Sequence, residues 1–126
     1  MKRTVLVVDD ELSIRMLLEN FLGEEFNVIT HENGYEALTW LKNGNHADLL
    51  LVDIDMPMLN GYEFTESIRK INGMTEVPVM MLSAKQKSAD RIRSFSAGAD
   101  DYIQKPFNPE ELMVRIHAIF RRNKVA

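Results

Sequence analysis

The sequence predicts a doubly wound α/β sandwich: one parallel sheet of five strands in the order 2-1-3-4-5, each strand followed by a helix. Three observations carry this prediction. Apolar runs alternate with helically spaced segments from end to end. The runs Val5–Val8, Leu49–Val52 and Val77–Leu82 have no polar interruption, as strands buried on both faces of a parallel sheet require. Finally, four runs end on their C-terminal side in Asp9-Asp10, Asp53, Ser83 and Lys105. That edge is where open α/β sheets bind ligands.

Each element has its own signal. After the first strand, Ile14, Leu17, Leu18, Phe21 and Leu22 recur at helical spacing, with Gly23 as a stop at C′. Phe26 to Thr30 makes a shorter second strand, and Tyr35 to Leu41 a helix stopped near Gly44. The third strand reaches Asp53. It is followed by the turn Met56-Pro57-Met58-Leu59-Asn60-Gly61 and a helix carrying Phe64, Ile68 and Ile71. The fourth strand ends at Ser83, and Ser88 or Asp90 caps a helix that bears Ile92 and Phe95 and ends at Gly98. Tyr102 to Gln104 leads into Lys105. The last helix has the clearest start: Asn108 at N-cap, Pro109 at N1 and Glu111 at N3, close to a capping box. Its stripe of Leu112, Ile116, Ile119 and Phe120 faces the core.

Bulk properties narrow the function. The 126 residues fit one domain over 1–126, with 45% hydrophobic and 27% charged residues, ordinary for a soluble protein. The net charge of −4 argues against direct nucleic-acid contact, which needs a basic face. No cysteine is present, so disulfides and thiolate metal sites are excluded. The first apolar run is too short for a signal-peptide core or a membrane span, and we expect a cytoplasmic protein.

If the runs are parallel strands, Asp9, Asp10 and Asp53 converge at the switch point between the first and third strands, with Ser83 and Lys105 alongside. Three close carboxylates stay ionised only beside a cation. Mg²⁺ suits oxygen ligands of this kind, with Mn²⁺ as an alternative. Such an ion neutralises phosphoryl oxygens, and a carboxylate is a competent nucleophile toward phosphorus. Singly, each piece has a plainer reading: Asp9-Asp10 as a capping pair, Asp53-Ile54-Asp55 as turn chemistry, Ser83 as a satisfied terminus, Lys105 as a solvated charge. The joint placement at strand ends is what those readings do not predict.

With those residues in hand, the chain resembles a response-regulator receiver domain of two-component signalling, a CheY-like, flavodoxin-like (βα)5 fold. The resemblance runs from about Val5 to Arg122. It is carried by Val7-Val8-Asp9-Asp10-Glu11, by Leu51-Val52-Asp53-Ile54-Asp55-Met56-Pro57, and by Gly98-Ala99-Asp100-Asp101-Tyr102-Ile103-Gln104-Lys105-Pro106-Phe107. It implies that Asp53 takes a phosphoryl group from the phosphohistidine of a sensor histidine kinase. It also implies Mg²⁺ held by Asp10, Asp53 and the backbone carbonyl of Asp55, with Asp9 acting through water. Lys105 would pair with a phosphoryl oxygen, Ser83 would swing toward it, and the aromatic Tyr102 would turn inward. In the family the bond between Lys105 and Pro106 is usually cis. Two departures stand out. Asp55 adds a negative charge that we expect to slow self-phosphorylation by small anionic donors, and Met58-Leu59-Asn60 replaces the commoner Gly-Met-Asp, which shifts the loop backbone.

Within that family the chain is most similar to the OmpR/PhoB group. That likeness implies a phosphorylation-dependent homodimer, with Arg91 pairing to Glu111, Asp100 to Arg122 and Asp101 to Arg115 across a two-fold, and output through a DNA-binding domain absent from this chain. Glu111, Arg115 and Arg122 lie within about 40° on the last helix, which also fits a solvated face with an i, i+4 pair of Glu111 and Arg115. By family analogy Ile14, Arg15, Leu18 and Pro106-Phe107 form the kinase-docking surface. His31, His46 and His117 lack ligand spacing, the methionines read as core filler, and Trp40 as packing. Two other functions remain open. One is a stand-alone CheY-like receiver acting by protein–protein contact. The other is a small haloacid-dehalogenase-type phosphatase, disfavoured by acidic residues N-terminal to Lys105 and by the short chain. In the receiver reading the protein is no enzyme beyond its own phosphorylation and dephosphorylation.

Overall fold

The computed structural model describes residues 2–84 and 88–122. In chain order the elements are β1 (Thr4–Val8), α1 (Leu12–Leu22), β2 (Asn27–His31), α2 (Gly34–Lys42), β3 (Leu49–Asp53), α3 (Gly61–Ile68), β4 (Val79–Ser83), α4 (Ser88–Ser96), β5 (Asp101–Gln104) and α5 (Pro109–Arg122). The strands form one parallel sheet in the order β2-β1-β3-β4-β5, as predicted. The central strands β3 and β4 are buried along their whole length, which explains why they read as unbroken apolar runs. The edge strand β2 is only half-buried, and it carries Asn27, Thr30 and His31.

Alternation along each strand divides the core into two layers. Leu6, Val8, Leu50, Val52, Val79 and Met81 meet Ala37, Leu38 and Leu41 of α2 and Phe64 and Ile68 of α3. Val5, Val7, Leu49, Leu51, Met80 and Leu82 meet Leu18 and Leu22 of α1 and the predicted stripe Leu112, Ile116, Ile119 and Phe120 of α5. Trp40 packs at the edge of the first layer, as expected.

Several local expectations are corrected. Gly23 is right-handed at φ −64°, and α1 closes through its N–H to Glu19 O at 3.0 Å rather than through a left-handed stop. Gly44 and Gly98 do take positive φ, +94° and +110°. The second strand runs one residue later than predicted, and Phe26 is buried just before it. Ile71 lies beyond α3 and reaches the core through tight turns, its N–H donating to Ile68 O at 3.0 Å. Ser88 is already the first residue of α4 and Asp90 is inside its first turn, so the capping position falls outside the described residues. The methionines divide. Met56, Met74, Met80 and Met81 are core, whereas Met16 and Met58 are exposed, and Met1 lies outside the described residues.

Candidate functional site

The parallel register brings the strand ends together. Val8 pairs with Val52, so Asp9 and Asp53 emerge side by side; Asp53 pairs with Leu82, so Ser83 follows next to it. Asp9 is fully buried and Asp53 is 3% exposed, while Asp10 is exposed at the rim. One carboxylate oxygen from each of the three lies within 4.8 Å of the others, a spacing suited to one hard cation. Lys105 reaches in from the end of β5. Its Nζ stands 2.8 Å from Asp9 Oδ2, 3.4 Å from Asp53 Oδ1 and 3.6 Å from Glu11 Oε1. The Lys105–Pro106 bond is cis, as the resemblance implied.

The electrostatics fit a divalent cation. Burial, then the neighbouring charge of Asp9, pushes the Asp53 carboxyl up to about 7, against partial relief from Lys105. Burial likewise raises Asp9, against its hydrogen bond from Lys105. Burial works against the Lys105 ammonium, yet its hydrogen bond to Asp9 and the charges of Asp9, Asp53 and Glu11 hold it above its ordinary value. One ammonium therefore does not neutralise this corner. A dication held by Asp9, Asp10 and Asp53 would.

Backbone hydrogen bonds fix the loops around these groups. The Asp55 N–H donates to Asp53 Oδ1 at 3.2 Å and the Glu11 N–H to Asp9 Oδ1 at 2.9 Å. After Asp53 the chain returns through Gly61, whose N–H donates to Ile54 O at 2.9 Å. Asn60 then starts α3 with a full capping box, accepting from the Glu63 N–H while the Glu63 carboxylate accepts from the Asn60 N–H. In the turn between them Met58 stands at φ +68°. Methionine thus occupies the left-handed region, which glycine adopts at least cost.

The switch candidates lie beside the site. Ser83 is fully buried and its Oγ donates to Asp55 Oδ2 at 3.4 Å. Tyr102 is 7% exposed and already points inward, within the core layer that holds Met81. The guanidinium carbon of Arg91 lies 5.8 Å from its ring.

Other predicted residues find partners inside the chain. Arg115 donates to Asp101 Oδ1 at 3.0 Å and to Glu111 Oε2 at 3.0 Å, the i, i+4 pair. Asp100 accepts from the Val79 N–H at 2.9 Å and from Arg69 at 3.3 Å. Arg122 is exposed at the end of α5. Arg91, Glu111 and Arg115 line one groove with Tyr102 and Phe107. The docking expectation needs correction. Leu18 is fully buried in the core and cannot dock a partner, and Arg15 donates to Asp9 O at 2.6 Å. The exposed apolar residues of α1 are Leu12, Met16 and Leu17. Sequence reasoning also missed the contacts of Glu11 with Lys105 and of Arg15 with Asp9 O, and the Asn60 cap; only the last had a local signal, Asn60-x-x-Glu63.

A model of the response regulator receiver domain matches residues 5–117. The chain belongs to that family. This receiver is therefore a two-component signalling unit with the parallel five-stranded fold of its relatives. It is 44% identical over 119 residues to the transcriptional regulatory protein ResD of Bacillus subtilis, covering 94% of this chain and 48% of that protein. It is 46% identical to the probable transcriptional regulator ycf27 of Guillardia theta, covering 99% and 48%. The receiver thus spans about half the length of these curated relatives. Among solved structures it resembles the chemotaxis protein CheY4 of Vibrio cholerae, with TM-score 0.89, 29% identity, and 94% and 99% of the two chains covered. It also resembles DrrB, an OmpR/PhoB homolog of Thermotoga maritima, with TM-score 0.87, 30% identity, and 98% and 55% covered.

Proposed function

We propose that the chain, as one receiver unit over 1–126, accepts a phosphoryl group on Asp53 from the phosphohistidine of a sensor histidine kinase. The observation that supports this most is the corner formed by buried Asp9 and Asp53 with Asp10 at its exposed rim, and Lys105 Nζ 3.4 Å from Asp53 Oδ1. Asp9, Asp10, Asp53 and the backbone carbonyl of Asp55 would hold Mg²⁺, or Mn²⁺ in its place. That ion, when bound, neutralises charge on the phosphoryl oxygens.

The remaining roles belong to the chain. A carboxylate oxygen of Asp53 forms the P–O bond as the P–N bond to imidazole breaks, and the electron pair stays on the imidazole nitrogen. Lys105 leaves its contact with Asp53 to pair with a phosphoryl oxygen, while its bond to Asp9 keeps the ammonium in the pocket. Ser83 turns its hydroxyl to the phosphoryl group, and Tyr102 stays inward behind it. Kinase docking belongs to Leu12, Met16 and Leu17 on α1 with Pro106-Phe107. The face of α4, β5 and α5 then carries the signal to a phosphorylation-dependent homodimer, through Arg91, Asp100, Asp101, Glu111, Arg115 and Arg122, and to a transcriptional output outside this chain. Among the described residues no helix is long and apolar enough to cross a membrane, and we place the protein in the cytoplasm. It is a switch labelled once per molecule rather than an enzyme that turns substrate over.

The test is an intact-mass measurement after incubation with a panel of phosphorylated histidine kinases and Mg²⁺. We expect a gain of one PO₃ unit in the wild type and none in Asp53→Asn. A wild-type mass that never changes across the panel overturns the proposal.

A further inference from the structure

We propose that the Asp55 side chain is a latch on the Ser83 hydroxyl, setting how readily that hydroxyl turns to a phosphoryl group on Asp53; the inference rests on the phosphoacceptor reading above. The Ser83 Oγ donates to Asp55 Oδ2 at 3.4 Å from a fully buried position, whereas Asp55 is exposed at the rim. The backbone N–H of the same Asp55 donates to Asp53 Oδ1 at 3.2 Å. One residue thus touches both the carboxylate that gains the phosphoryl group and the hydroxyl that answers it. Strand register sets this approach, because Asp53 pairs with Leu82, the residue before Ser83.

A hydroxyl has one proton to donate. While that proton is directed at Asp55, it is withheld from a phosphoryl oxygen, so the two acceptors compete. At 3.4 Å the bond is long for an O–H donor, and it yields to a shorter, charge-assisted one. The latch therefore biases the switched population without blocking it. Such a bias differs from the through-space effect of the Asp55 charge on anionic donors. The charge acts whether or not residue 83 carries a hydroxyl. The latch needs it.

Affinity for beryllofluoride with Mg²⁺, a non-covalent analogue of the phosphoryl group, separates the two. It is measured for the wild type, Asp55→Leu, Asp55→Asn, Ser83→Ala and the double variant Asp55→Leu/Ser83→Ala, with thermal melts to verify folding. We expect Asp55→Leu to bind about fivefold more tightly than the wild type, and Asp55→Asn, which keeps an acceptor oxygen, less than about twofold. In the Ser83→Ala background only the charge remains to be removed, so Asp55→Leu should tighten binding less than about twofold. Tightening that persists there at the full fivefold overturns the latch in favour of charge, and an Asp55→Leu protein that binds like the wild type also overturns it. Should the wild type itself fail to bind beryllofluoride, the phosphoacceptor reading fails and the latch with it.

Discussion

At the scale of the residue, the site is defined by charges held close together and away from water. Asp53 ordinarily titrates at 3.8, and in this protein without metal it is pushed up to about 7. The folded state then binds more protons than the unfolded chain between those values, so stability falls as pH rises through that window. The penalty is absent below the unfolded value and complete above about 7. Replacing the carboxyl by an amide removes it. In metal-free buffer, Asp53→Asn should melt about 5 °C above the wild type at pH 8, with the gap closing toward pH 4. Added Mg²⁺ should raise the wild-type melt and leave the variant nearly unmoved. Parallel melting of the two proteins across that range would count against a strained carboxylate cluster. The residue types here were legible in the sequence, because each stands at a strand end. Their hydrogen bonds were not: the contacts of Lys105 to Asp9 and of Ser83 to Asp55 cross 96 and 28 residues, and no local pattern encodes them.

At the scale of the element, the start of α3 shows how helix chemistry serves the site. Gly61 is its first residue, and a Cβ there would meet Asp53 O at 2.7 Å and Ile54 Cα at 2.8 Å. Helix propensity alone favours alanine over glycine by about 1 kcal/mol. The clash with the acceptor strand reverses that preference, because both neighbours are backbone. Gly61→Ala should therefore lower the melting temperature and weaken beryllofluoride binding together. Asn60→Ala, which removes only the cap, should cost about 1 kcal/mol of stability and leave binding nearly intact. If Gly61→Ala melts and binds like the wild type, the close return of the loop is not what shapes the site. The strands were readable because β1, β3 and β4 are buried on both faces, whereas this helix start was hidden in a turn rich in Pro57, Asn60 and Gly61. In α4 the periodicity placed a helix, yet Ile92 and Phe95 are 65% and 50% exposed. Spacing gives the face of a helix and not what covers it.

At the scale of the whole molecule, the question is how a homodimer would form on the face of α4, β5 and α5. The charges that suggest it are closed within the chain: Arg115 holds Asp101 and Glu111, and Asp100 is held by Arg69 and the Val79 N–H. Association through these residues exchanges partners instead of adding ion pairs, and such half-exposed pairs contribute about 0–1 kcal/mol each. In the proposed homodimer they would fix register and exclude wrong partners, since a like charge in the same place costs more than a matched pair gains. Charge reversal is the informative change. Asp101→Lys leaves Arg115 facing a cation both within its own chain and across the two-fold. With beryllofluoride and Mg²⁺ present, analytical ultracentrifugation should show the dimer weakened about tenfold or more, a loss of at least about 1.4 kcal/mol. Combining it with Arg115→Asp restores opposite signs at both positions and should recover most of the affinity. A dimer constant that ignores Asp101→Lys would move the interface away from this face, because no arrangement that buries Arg115 beside position 101 is indifferent to that change.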